Sequence, residues 1–157
     1  MSSMTETVVS GLLGLGWLTT VAALWKERAK QRQLVMTYLI QRRQALDNDP
    51  DLLGIVGLLR REARAAANHE PPPKDEEGRD GSDLRNLPAF LEPIGTYLAY
   101  SRGAGKRAYG VFAQEVLLCH HSKLLWADER PPYSDDYWRS FKQFARFTEA
   151  RGFQIAQ

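Results

Sequence analysis

The chain has 157 residues, 25% of them charged, and a net charge of +2. That length allows one small domain with its own core beside an anchor, and little more. A single cysteine, Cys119, excludes an intramolecular disulfide and a cysteine-rich zinc site, and one thiol suits a reducing compartment.

Residues 7–25 carry no charge, and Lys26, Arg28, Lys30 and Arg32 follow at once. A helix rises about 1.5 Å per residue, so this run nearly spans a hydrocarbon core of roughly 30 Å. A single transmembrane anchor is the reading preferred. Leu12, Leu13, Leu15, Leu18, Val21 and Leu24 would face lipid, and Trp25 falls where an interfacial aromatic belt lies. Trp25, Lys26, Arg28, Lys30 and Arg32 are then the membrane-interface residues, and the bilayer is the first partner. With only Glu6 ahead of the run, the positive-inside rule puts the N-terminus outside and the body in the cytoplasm. A cleaved signal peptide is a rival, with Val21-Ala22-Ala23 as a small-residue site, but residues 1–6 lack the positive n-region. A buried core helix is another, but an apolar helix needs more core around it than this chain easily supplies. Ser10 with Gly14 and Gly16 with Thr20 are small residues four apart, which let membrane helices approach one another.

The first helix is expected to continue through Lys26 to Leu46, with Leu34, Val35, Tyr38 and Leu39 as an apolar stripe. Residues 26–43 hold six basic side chains and one acid. Such a strip beside an anchor is attracted to anionic head groups, though topology signalling is the preferred account of its whole role; nucleic acid is the weaker option and is not expected as a partner. Asn48-Asp49-Pro50 is a break and a restart: Asp49 caps the next helix and Pro50 fits its first turn. Leu52, Ile55, Val56, Leu59 and Ala63 give that helix one face, up to about Ala67.

Residues 70–83 hold three prolines, two glycines and six acids. They read as a mobile linker between a membrane-proximal hairpin (26–69) and a C-terminal bundle (84–157), with tail and anchor at 1–25. The bundle opens with a helix from about Leu84 to Tyr100. Leu87, Phe90, Leu91, Ile94 and Leu98 form its stripe, and Pro88 and Pro93 disturb it. Arg102-Gly103-Ala104-Gly105 is a turn. One long helix is predicted from Lys106 to Asp128, ended by Pro131-Pro132. Ser134 is placed as the cap of the last helix, and Gly152 at its end. No segment alternates like a strand, so the fold class predicted is all-α: an N-terminal transmembrane helix followed by a small cytosolic helical bundle.

Laid out so, the chain resembles a family of uncharacterised bacterial single-pass membrane proteins with a small helical cytosolic domain of unknown function. The likeness rests on Thr37-Tyr38-Leu39, on Asp49-Pro50-Asp51-Leu52, and on the run from Asn86-Leu87-Pro88 through Glu92-Pro93-Ile94-Gly95. The turn at Arg102-Gly103 and the aromatic helices around Phe112, Trp126 and Trp138 continue it. Where that family tends to have a second acid after Glu92, this chain has Pro93. The resemblance implies an architecture and a body in the cytosol at the bacterial inner membrane. It implies no catalytic residue.

Candidate chemistry is sparse. Cys119-His120-His121 is a potential nucleophile or ligand set, but neighbouring helical residues point about 100° apart. With only His69 besides, the triplet is read as core or surface, with no metal and no catalytic role. Gly103-Ala104-Gly105-Lys106-Arg107 lacks the spacing and the Ser or Thr of a phosphate loop. It leaves Arg102, Lys106 and Arg107 as a possible anion-binding group at a helix start. Glu92 and Glu115, in otherwise apolar helices, are expected to pair with Arg102, Lys123 or Arg139. Trp126, Tyr133, Tyr137, Trp138, Phe141, Phe144 and Phe147 are expected to pack the bundle. The function expected is therefore non-enzymatic, without cofactor: a scaffold presenting a cytosolic bundle to a protein partner or to itself. The alternative is an oligomeric, ligand-gated membrane effector that senses an anionic small molecule. An enzyme using Glu92, Glu115 or the Cys119 region would need these groups to converge in a pocket.

Overall fold

The computed structural model describes residues 3–75, 78–79, 81–126 and 138–156, with side chains from residue 19 onward except residue 81. All regular structure among the described residues is helical. The helices are α1 (Ser3–Asp47), α2 (Pro50–Ala67), α3 (Gly81–Leu84), α4 (Asn86–Tyr100), α5 (Lys106–Gly110), α6 (Ala113–His121), α7 (Lys123–Trp126) and α8 (Arg139–Glu149).

Local chemistry sets several of these ends. The Asp49 carboxylate accepts from the amides of Asp51 and Leu52, both at 3.1 Å, with Pro50 at the first helical position. At the far end of α2 the Glu70 amide donates to the Ala65 carbonyl at 2.8 Å, and His69 takes a left-handed φ of 58°. This is a Schellman ending with histidine where glycine is usual. Pro88 lies in the first turn of α4, where no intrahelical bond is lost, and Pro93 lies inside the helix. Gly152 follows α8 with φ 78°, and its amide donates to the Glu149 carbonyl at 2.8 Å. Ser134, the expected cap of α8, lies outside the described residues, as do Tyr133 and Tyr137.

The single helix expected from Lys106 onward is instead three: α5, α6 and α7. The first break follows Gly110, where an added Cβ would lie 3.0 Å from the Phe153 ring. The second is Ser122, whose backbone is extended at ψ 127°. Its hydroxyl accepts from the Leu125 amide at 3.0 Å. Glu62, reaching over from α2, accepts from the amides of Lys123 at 2.8 Å and Leu124 at 3.0 Å. Side chains thus satisfy the amides that a continuous helix would have used.

One apolar cluster joins the helices on either side of residues 70–83. It takes in Val35 and Leu39 of α1, Ile55 and Leu59 of α2, Leu91 and Ile94 of α4, and Phe141 and Phe144 of α8. α8 packs against both α4 and α6. Gly95 makes the first contact possible, because a Cβ there would sit 2.5 Å from the Phe144 Cβ. Trp126 stacks edge-on to Trp138, with centroids 5.5 Å apart, and its indole donates to the Cys119 carbonyl at 2.7 Å. In the acidic stretch, Asp75 pairs with Arg79 at 3.4 Å, and the Arg79 guanidinium rests on Gly54 of α2. The acidic stretch therefore touches the bundle.

α1 has two regimes. From Gln31 onward it meets the bundle, whereas residues 19–30 are all exposed. Among the described residues no helix is long and apolar enough to cross a membrane. The span expected at residues 7–25 falls mainly on residues 3–18, whose side chains lie outside the described set. The small-residue pairs Ser10/Gly14 and Gly16/Thr20 fall there too, apart from Thr20.

Candidate functional site

Two clefts and one side-chain cluster hold the polar groups of interest. The first cleft, about 430 Å³, lies where the turn at 101–105 meets α1. Arg32, Arg102, Lys106 and Arg107 line it, with Met36, and no acid does. Gly103 brings them together: its Cβ would fall 2.9 Å from the Arg32 nitrogen and the Gln31 carbonyl carbon, both backbone atoms that cannot yield. The three cations named from sequence thus share a cleft with Arg32, which sequence placed only at the membrane interface. All four are exposed, so their charges are solvated and screened. α5 has only five residues, so the site rests on cations and not on a helix terminus.

The second cleft, about 540 Å³, runs between the end of α2, the Ser122 break and the C-terminal tail. Leu59, Ala63, Leu118 and Ile155 make it mainly apolar, and Glu62, Arg64 and Lys123 supply charge. The tail is held by Gln114, whose amide donates to the Gln154 carbonyl at 2.8 Å and accepts from the Ala156 amide at 2.9 Å. Glu62 is 8% exposed. Beyond its two backbone donors, it accepts the Ser122 hydroxyl at 2.6 Å. Glu62 was not singled out in the sequence, where it is one acid among the arginines of α2.

Glu115 pairs with neither Arg102, Lys123 nor Arg139. Its carboxylate meets Arg43 of α1 at 2.8 Å and Arg60 of α2 at 3.7 Å, because that face of α6 looks toward the hairpin. Burial works to lower the Arg43 pKa, but Glu115, and behind it Asp47, raise it on balance. The Glu92 carboxyl is pushed up by partial loss of solvent. Cys119 is fully buried, and burial, then the Glu115 charge, push its thiol well above the ordinary range. Neither cleft is lined by Glu92, Glu115 or Cys119, so the convergence an enzyme would need from them is not found there.

His120 and His121 do face a common point. Their rings meet edge-on with centroids 4.9 Å apart, and Glu149 of α8 bonds His121 Nε2 at 2.9 Å. Cys119 does not join them, as the spacing of about 100° implies; what that spacing did not foresee is that two imidazoles reach far enough for neighbouring rings to tilt together. His69, at the end of α2, stands apart from this cluster. Of the aromatic set, Trp126, Trp138, Phe141 and Phe144 are buried, and Phe147 packs against the core from its edge.

No family model, curated protein or solved structure matches the chain.

Proposed function

We propose that the chain is a single-pass, membrane-anchored helical module. In this reading α1 is set in the bacterial inner membrane with its N-terminus outside. The cytoplasmic bundle meets a protein partner or a second copy. The observation that carries this reading is the bare stretch of α1. Leu24 and Trp25 are 58% and 73% exposed, and among the described residues no part of the bundle covers them. Large apolar side chains left in water at the end of an uncharged run are better accounted for by lipid. Electrostatics point the same way. Arg32 lies seven residues beyond Trp25, about 10 Å along the helix, and a Debye length is about 8–10 Å. The cleft of Arg32, Arg102, Lys106 and Arg107 would therefore feel anionic head groups, each cation near the surface adding about 1 kcal/mol. The sequence resemblance described above agrees with this placement. Anchoring also raises the local concentration of the module, so weak partner contacts suffice.

Membrane fractionation of the full chain in a bacterial host tests the anchor. The protein is expected to stay with membranes through alkaline carbonate, and its C-terminal body to resist protease added to spheroplasts. Release into the supernatant would refute it. A photo-crosslinker at Tyr100, 86% exposed, is expected to capture a discrete protein species.

A second reading, a ligand-gated effector, is favoured by the first cleft alone, since four cations without an acid suit a phosphate or other small anion. Native mass spectrometry of the gently extracted chain separates the two. A nucleotide-sized adduct supports the effector, and a chain without one, monomeric or self-associated, supports the tether.

A further inference from the structure

We propose that His120, His121 and Glu149 form a site for a divalent transition-metal ion of the zinc class, linking the end of α6 to the end of α8. Their ligand atoms all lie within 4.8 Å of one another. An ion centred among three donors so spaced would be at most about 2.8 Å from each, against about 2.0–2.2 Å for zinc bound by nitrogen or carboxylate oxygen. Side-chain motions of under about 1 Å close the site, well within rotamer adjustment at exposed positions. Two imidazoles and one carboxylate suit zinc and its neighbours, not magnesium or calcium, which take oxygen donors. Three protein ligands leave a fourth tetrahedral position for water or for a group from outside.

The surroundings bear on affinity in both directions. Burial first, with the Arg146 and Lys142 charges adding to it and Glu149 opposing, holds His120 below its ordinary pKa. The same Lys142 and Arg146 charges oppose a cation, and the Glu149 carboxylate offsets them. The site is independent of the anchor proposed above. His121 also lines the apolar cleft, so an ion here would stand at its rim.

The full chain, in detergent micelles and stripped with EDTA, is titrated with Zn²⁺ by calorimetry, with Mg²⁺ as the counter-probe. One equivalent of Zn²⁺ is expected to bind, and Mg²⁺ to give no heat. His120→Gln, His121→Gln and Glu149→Gln are each expected to weaken Zn²⁺ binding at least about tenfold, as loss of even outer-shell partners does elsewhere. His69→Gly, outside the cluster, is expected to leave it unchanged. Circular dichroism checks that each variant is folded. Co²⁺ provides a readout that folding alone does not mimic: a tetrahedral visible spectrum, lost in His121→Gln. Absence of Zn²⁺ binding, or binding that any one of the three variants leaves intact, overturns the proposal.

Discussion

Two buried carboxylates tie the helices together, and they do it by opposite means. Glu115 on α6 is 3% exposed and faces guanidinium groups, Arg43 from α1 and Arg60 from α2. Glu62 on α2 is nearly as buried, yet its named partners are neutral: one hydroxyl and two backbone amides around the Ser122 break. The first is a charge pair that fixes which helices meet. The second is a helix cap supplied by another helix, which fixes where the chain turns. A buried charge needs either an opposite charge or several hydrogen bonds, and this molecule uses one solution at each place.

Deleting partners separates the two. Arg43→Ala should cost the most, about 3 kcal/mol in urea unfolding. That is the low side of the ~3–5 kcal/mol for breaking a buried pair, because Arg60 stays near and Arg43 is itself partly exposed. If Arg43→Ala cost no more than a surface substitution, the charge-pair account of Glu115 would fail. Glu62→Ala should come next, at about 2 kcal/mol, since three donors lose their acceptor but two of them border a cleft that water can enter. Its signature should be local: hydrogen exchange should rise at Lys123 and Leu124 before the rest of the core. Ser122→Ala should cost about 1 kcal/mol, the usual value of a lost cap. A double-mutant cycle with Glu62→Ala should show that the two costs are not additive.

The smallest effect concerns Cys119, one helical turn from Glu115. Its folded thiol ionises well above the unfolded one, so the native state holds the proton more tightly. Stability contributed by the protonated thiol is present below the unfolded pKa of about 8.5 and drains away as pH rises beyond it. A shallow decline in the midpoint of urea unfolding above that pH, absent in Cys119→Ala, is the expected observation. Replacing Glu115 by Gln should lessen the decline, because its charge is the second cause of the shift. Native Cys119 should also react slowly with thiol reagents, while the unfolded chain reacts at once.

Much of the architecture is legible in the residues because its causes are local. Asp49-Pro50 announces a helix start, and Gly152 marks a helix end. The stripes of α2 and α4 appear as periodic apolar residues. The break at Ser122 is not legible, since its cap comes from Glu62, 60 residues earlier in the chain. Arg43, the nearer partner of Glu115, is likewise 72 residues away. Arg102, Lys106 and Arg107 could be picked out as a basic group. That Arg32 joins them depends on the absence of a side chain at Gly103, a matter of tertiary approach. Glu149 gave no signal at all, being one acid near the end of an amphipathic helix.

α1 is one helix from Ser3 to Asp47, without an internal proline. At about 1.5 Å per residue its 45 residues make a rod of about 68 Å. The bundle is gripped onto its last third, with Arg42 stacked on Phe90 and Tyr38 on Tyr97. Such a rod works as a lever. The free two-thirds, about 45 Å long, swings its far end through about 8 Å for each tilt of about 10° about the bundle, given the helical rise. Motion at one end therefore reaches the other as a change of angle, with no hinge in between to absorb it.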